Sequence, residues 1–184
     1  MADSRRPQSA RPKVGFIGAG KVGTAMALAL SRAGYPVVAV ASRSLSSAQR
    51  LEAQVDGCRT FAGVDSVAQV SDLVFVTVPD DAIAAVAAEV AWRPGQMVVH
   101  CSGSLAAGVL EPARRIGAAV GGLHPLQTFA DSERAADALD GSTFGLEAED
   151  AGLSAVLGDM VEALGGTAVL LRAEDKPLYH AAAV

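Results

Sequence analysis

The sequence predicts an α/β fold: a doubly wound, mostly parallel sheet flanked by helices. Three observations carry this. Short apolar runs alternate with helical periodicity along almost the whole chain, which is the pattern of β-α-β units. Residues 73–78, Leu-Val-Phe-Val-Thr-Val, are continuously apolar or β-branched, as expected of a strand covered on both faces. Residues 14–23, Val-Gly-Phe-Ile-Gly-Ala-Gly-Lys-Val-Gly, run from a strand through a glycine turn into a helix.

The elements follow in order. Residues 14–17 form the first strand. Residues 21–33 form a helix with Val22, Met26, Ala29 and Leu30 on its apolar face and Gly34 as its stop. Residues 37–41 are the second strand and 45–54 the second helix, with Ser44 suited to cap it. A short strand is expected at 59–61, one or two helical turns at 64–70, and the fourth strand at 73–78. Pro79, Asp80 and Asp81 open the next helix, since proline and acids favour a first turn. A fifth strand is expected at 97–101, a helix disturbed by Pro112 at 105–116, and a sixth strand at 118–122. Residues 130–141 read as a surface helix or loop. Strands at 143–146 and 167–171 flank a helix at 151–164. Residues 175–184 read as the beginning of another helix.

Composition bounds the function. The chain has 184 residues, 51% of them hydrophobic, enough for one domain with a sizeable core. A net charge of −5 argues against nucleic acid or an anionic membrane surface as main partner. No run of 18 apolar residues suggests a membrane span, and no apolar signal segment precedes the domain. Cys58 and Cys101, without a disulfide framework, fit a reducing cytoplasm. Cys101 reads as a small buried hydrophobe. Residues 1–12 are expected to be a disordered arm, 13–172 the main domain, and 173–184 the start of a helical C-terminal domain. The histidines and cysteines are too dispersed for a metal site, and no phosphate loop of the G-x-x-x-x-G-K-[ST] type is present.

The chemistry centres on Gly18, Ala19, Gly20, Lys21, Val22 and Gly23. In G-x-G-x-x-G the first glycine makes the turn, the second admits a pyrophosphate and the third lets the helix approach the sheet; the helix N-terminus then faces the phosphates. The second strand ends in Ser42, Arg43 and Ser44. An NAD-binding domain of this kind carries an acid there to hold the ribose 2′-hydroxyl. A guanidinium with two hydroxyls suits a 2′-phosphate instead, and the cofactor expected is NADP. Val78, Pro79 and Asp80 after the fourth strand, and Ser102, Gly103 and Ser104 after the fifth, are placed to frame the nicotinamide-side ribose. The same residues also suit a helix N-terminus and an N-cap. His124, after the sixth strand, is a candidate proton donor. Lys176 and His180, four apart on one helix face, are two more; a solvated helix end is the plain alternative. His100 reads as a core or capping histidine.

Together, the glycine turn, Ser-Arg-Ser at 42–44, Thr-Val-Pro-Asp-Asp at 77–81, His-Cys-Ser-Gly-Ser at 100–104, His-Pro-Leu-Gln-Thr-Phe at 124–129 and Tyr-His-Ala-Ala-Ala at 179–183 resemble a bacterial family of Rossmann-like NADP-dependent oxidoreductases with a helical C-terminal domain of unknown function. That family sits in the 6-phosphogluconate dehydrogenase-like superfamily, beside pyrroline-5-carboxylate reductase, ketopantoate reductase and deazaflavin-dependent NADP reductase. The resemblance implies hydride transfer to a small carbonyl or imine, with a 2-keto acid such as ketopantoate as one substrate. It also implies that the chain lacks most of a helical domain that would close the cleft and build a homodimer. Lys176 resembles the helix lysine that serves as proton donor in β-hydroxyacid dehydrogenases of the superfamily, although its surrounding motif differs. The rival expectation is a non-catalytic NADP-binding sensory or regulatory module.

Overall fold

A computed structural model describes residues 11–127, 136–176 and 179. Its centre is an eight-stranded sheet in the order β3-β2-β1-β4-β5-β6-β7-β8. The strands are β1 (Val14–Ile17), β2 (Val37–Ala41), β3 (Arg59–Thr60), β4 (Leu73–Val76), β5 (Met97–His100), β6 (Ala119–Pro125), β7 (Thr143–Ala148) and β8 (Thr167–Leu170). Strands β1 to β6 are parallel. β7 runs antiparallel to β6, and β8 runs parallel to β7. The chain order reverses between β1 and β4, so the ligand-binding crevice of such a sheet lies at the carboxyl ends of these two strands.

Among the described residues, six helices cover both faces: α1 (Lys21–Arg32), α2 (Leu45–Glu52), α3 (Val64–Val70), α4 (Asp80–Glu89), α5 (Glu111–Arg115) and α6 (Ala151–Ala163). Alternation along each strand feeds two cores. Phe16, Leu73, Phe75 and Val99 pack with α1, α2 and α6 on one face. Ile17, Val74, Val76 and Val98 pack with α3, α4 and α5 on the other. Phe16 and Phe75 stack across β1 and β4 at 5.3 Å between ring centroids.

The expected α/β architecture holds, with adjusted ends. The sixth strand does not stop at residue 122 but runs to Pro125, because β7 pairs antiparallel with it from Gly121 to Pro125. His124 therefore sits within a strand rather than after one. The seventh strand likewise extends to Ala148. The fourth ends at Val76, before Thr77 turns back to clip the glycine loop. Around Pro112 the single helix resolves into a 3-10 turn at Ala107–Leu110 followed by α5, with the proline in the first turn, where no backbone donor is lost. Of the 130–141 segment, the described part contains a 3-10 turn at Asp137–Leu139. Among the described residues, no helix is long and apolar enough to cross a membrane.

Candidate functional site: a glycine turn at the switch point

Gly18 leaves β1 with φ +109°, a conformation open to glycine and closed to most side chains. A Cβ there would lie 2.6 Å from the backbone oxygen of Thr77. Thr77 holds this crossing: its hydroxyl donates to the Gly18 carbonyl at 2.7 Å, and its N–H donates to the Ile17 carbonyl at 2.8 Å. Gly23 is crowded in turn, since a Cβ would stand 2.4 Å from the Gly18 oxygen. Its bareness is what lets α1 start so close to the sheet.

Gly20 differs from both. Nothing lies within 4 Å of where its Cβ would be. It is the N-cap of α1 and offers no capping side chain, and no acid stands in the first turn. The exposed start of a 12-residue helix thus has neither a side-chain cap nor an acid of its own to meet its first N–H groups. Ala19 is buried behind the turn, while Lys21 is exposed and Val22 half-buried beside it.

The second strand delivers Ser42 and Arg43 to the same edge. With Gly18, Gly63, Val64, Val78, Pro79, Val86 and their neighbours they line a cleft of about 300 Å³. Arg43 is exposed and makes no ion pair or hydrogen bond to the described residues, so its guanidinium is available to a ligand. Ser44 serves the helix instead, capping α2 by accepting the Ser47 N–H at 3.3 Å. A larger hollow of about 530 Å³ touches Met97 and Ala119, the first residues of β5 and β6. It is therefore on the opposite sheet edge from the glycine turn.

The loops after β4 and β5 are bound to each other. The Asp80 carboxylate accepts the Ser102 hydroxyl at 2.7 Å and the Ser104 hydroxyl at 2.8 Å. Ser102 Oγ also accepts the N–H of Ser104 and of Leu105, closing a tight turn around Gly103. Pro79 is the N-cap of α4 with Val78 half-buried behind it. His100 is fully buried at the end of β5 and accepts the Ser102 N–H on Nδ1 at 3.1 Å, so it caps this loop from below. Burial, helped by the nearby Lys176 charge, lowers its pKa to about 4 and keeps it neutral.

Lys176 is 1% exposed. Its ammonium faces the Glu147 carboxylate at 3.4 Å and donates to the Ser102 carbonyl at 3.3 Å. Burial lowers its pKa, while Glu147 opposes that shift. Glu147 also accepts the Ala107 N–H at 3.0 Å. His124 is half-buried on β6, and its Nδ1 lies 3.3 Å from the Tyr179 hydroxyl, the two rings meeting edge to face. The opposite edge of the imidazole, with Cε1 and Nε2, presses on Gly103, where a Cβ would come within 2.8 Å. His180 lies outside the described residues.

Thr77, Glu147 and Tyr179 escaped the sequence reading as site residues. Glu147 had a signal, a carboxylate beside an apolar strand; Tyr179 had another, its three-residue spacing from Lys176. Cys58 and Cys101 are buried free thiols, pushed up by burial to about 11 and about 12, in keeping with packing roles. Among the described residues, no group of three or more histidine, cysteine or acidic side chains could hold a metal ion.

A Rossmann-like domain family matches residues 2–125 of the chain. Similar solved structures include a candidate NADP oxidoreductase from Bacteroides fragilis, at 28% identity and a TM-score of 0.82, covering 95% of this chain and 66% of that one. An Aspergillus terreus reductive aminase in complex with NADPH4, cyclohexanone and allyl amine shares the fold at 18% identity and a TM-score of 0.72, covering 94% and 59%. So does 1-pyrroline-5-carboxylate reductase of Streptococcus pyogenes, at 16% identity and a TM-score of 0.72, covering 95% and 63%. The chain thus spans less than two thirds of the length of each. No curated protein matches it.

Proposed function

Since the chain belongs to the Rossmann-like domain family, we propose that it binds NADP(H) across the switch point of its sheet and serves as the cofactor-binding part of an oxidoreductase acting on a carbonyl or imine. The observation that carries this reading is the glycine turn: Gly18 lines one crevice with Ser42 and Arg43, and Gly20, two residues on, is bare and unobstructed at the uncapped start of α1. The likeness to an NADP oxidoreductase, a reductive aminase and a 1-pyrroline-5-carboxylate reductase supports the reaction class. Assembly as a homodimer, where a helical C-terminal domain is present to build it, and a place in the cytoplasm belong to the same proposal.

The residues present fit the cofactor. The first-turn N–H groups of α1, from Lys21 to Gly23, would receive the pyrophosphate beside Ala19 and Gly20. Arg43 and Ser42 would hold the 2′-phosphate, with Ser44 acting through the start of α2. Val78, Pro79 and Asp80 with Ser102, Gly103 and Ser104 would border the nicotinamide ribose. When bound, the nicotinamide supplies a hydride from its C4.

The chain's part is then to supply a proton. His124 is the residue proposed for it, at the carbonyl oxygen or imine nitrogen. Tyr179 O–H donates to the His124 carbonyl at 3.3 Å, and its oxygen lies 3.3 Å from Nδ1, so the phenol holds the imidazole with its Nε2 edge turned to Gly103. Burial raises the Tyr179 pKa, so the phenol keeps the proton that it donates. His180 remains a second candidate. The finer substrate proposal is a small 2-keto acid such as ketopantoate, or a cyclic imine.

Calorimetric titration with NADPH and NADH tests the cofactor assignment. Arg43→Ala is expected to weaken NADPH binding roughly 10- to 100-fold, the worth of a charge-assisted hydrogen bond, and to leave NADH binding unchanged. An unaltered preference for NADPH in the variant would overturn the assignment.

A further inference from the structure

We infer that Lys176 is a positioning residue: its buried ammonium ties the chain that leaves β8 to the loop at Ser102–Ser104 and so fixes the ribose-side wall of the dinucleotide cleft. This deepens the proposed function and rests on it.

The geometry is specific. Lys176 lies 74 residues from Ser102 in sequence, yet donates to its carbonyl at 3.3 Å. The counter-charge, Glu147, stands on β7 opposite Gly122 of β6. Gly122 makes the space: a Cβ there would lie 3.2 Å from Lys176 Nζ and 3.3 Å from the His100 ring. Three strands therefore converge on one buried cation. β7 supplies the carboxylate, β6 the space, and the loop after β5 the carbonyl that accepts the hydrogen bond. Beyond that carbonyl, Ser102 Oγ reaches Asp80 at 2.7 Å, so the restraint passes from Lys176 to the first turn of α4.

The same geometry argues against direct proton donation by Lys176. At 1% exposure its ammonium has no open face; it donates to the Ser102 carbonyl and is ion-paired with Glu147 within the protein. A buried pair costs more in desolvation than a surface one, and is better kept for placement than for stability. Tyr179, three residues on, touches His124 at 3.3 Å. The segment after β8 thus meets the β5 loop and β6 at two points.

The test uses Lys176→Met combined with Glu147→Gln. The pair removes both charges together, and glutamine Oε1 still accepts the Ala107 N–H, so the fold is preserved. Two ligands divide the cleft: 2′,5′-ADP reaches only its adenosine half, and NADPH spans it. We expect the double variant to melt within a few degrees of the wild type, to bind 2′,5′-ADP as before, and to bind NADPH roughly tenfold more weakly. Hydrogen exchange at the amides of residues 103–105 should quicken. A role confined to stability would leave the ratio of the two affinities untouched, so wild-type NADPH binding with unchanged exchange overturns the inference. If the wild type itself binds neither ligand, the dinucleotide reading falls. The exchange measurement then decides the inference alone, and unchanged protection at 103–105 overturns it.

Discussion

Gly18 and Gly20 stand two residues apart and answer to different demands. Gly18 is required by the fold: its φ is +109°, and the Thr77 oxygen already fills the place of a Cβ. Gly20 is free of both constraints, with open space where a methyl would go. Alanine should separate them. Gly18→Ala is expected to destabilise the protein by about 2 kcal/mol or more, from strain and contact together. That is a fall in Tm of roughly 5 °C for a chain of this size. Gly20→Ala should leave Tm nearly unchanged and weaken NADPH binding at least about tenfold, because the methyl stands where the pyrophosphate approaches. Thermal melts and calorimetry on the two variants give the comparison. A normal affinity in folded Gly20→Ala protein would remove the pyrophosphate from this position.

At the scale of elements, the start of α1 depends on the end of β4. Thr77 clips the two through the 2.7 Å bond to the Gly18 carbonyl, and Gly23 lets the helix close over it. Thr77→Val keeps the shape and deletes the donor. The expected loss is about 1 kcal/mol, read as a fall in Tm of about 2–4 °C, with no change in secondary structure by circular dichroism. An unchanged Tm would mean that packing alone holds the crossing.

This clip also marks where the sequence is legible. The runs at β1, β4 and β5 announce themselves because parallel strands covered on both faces must be apolar throughout. The glycine turn is equally plain, since its spacing is local. The end of β6 is not, because it is set by its antiparallel partner β7, beyond the reach of periodicity along one strand. Lys176 with Glu147, and Tyr179 with His124, are invisible for the same reason: residues 29 and 55 positions apart meet only through the sheet. Ser102 and Ser104 were legible as a loop at the cleft. That their hydroxyls would turn to Asp80 depends on the β4 and β5 loops lying side by side.

At the scale of the whole molecule, the eight-stranded sheet places a neutral histidine where global stability must depend on pH. His100 is fully buried between its two core layers, and Lys176, Asp80 and His124 are the charged or titratable groups acting on it. Its pKa is near 4 in the folded chain against 6.5 when free. The folded state therefore binds fewer protons than the unfolded state between these values. Stability is full above about pH 6.5 and is lost as the pH falls towards 4, by on the order of 3 kcal/mol in all. Asp175, whose pKa the Arg172 guanidinium lowers, acts below this window. His100→Asn keeps an acceptor near the position of Nδ1 for the Ser102 N–H and removes the titrating group. The wild type should lose about 5 °C in Tm between pH 7 and pH 5, and the variant much less, whatever its stability at pH 7. Equal slopes in the two proteins would mean that the acid sensitivity arises elsewhere in the sheet.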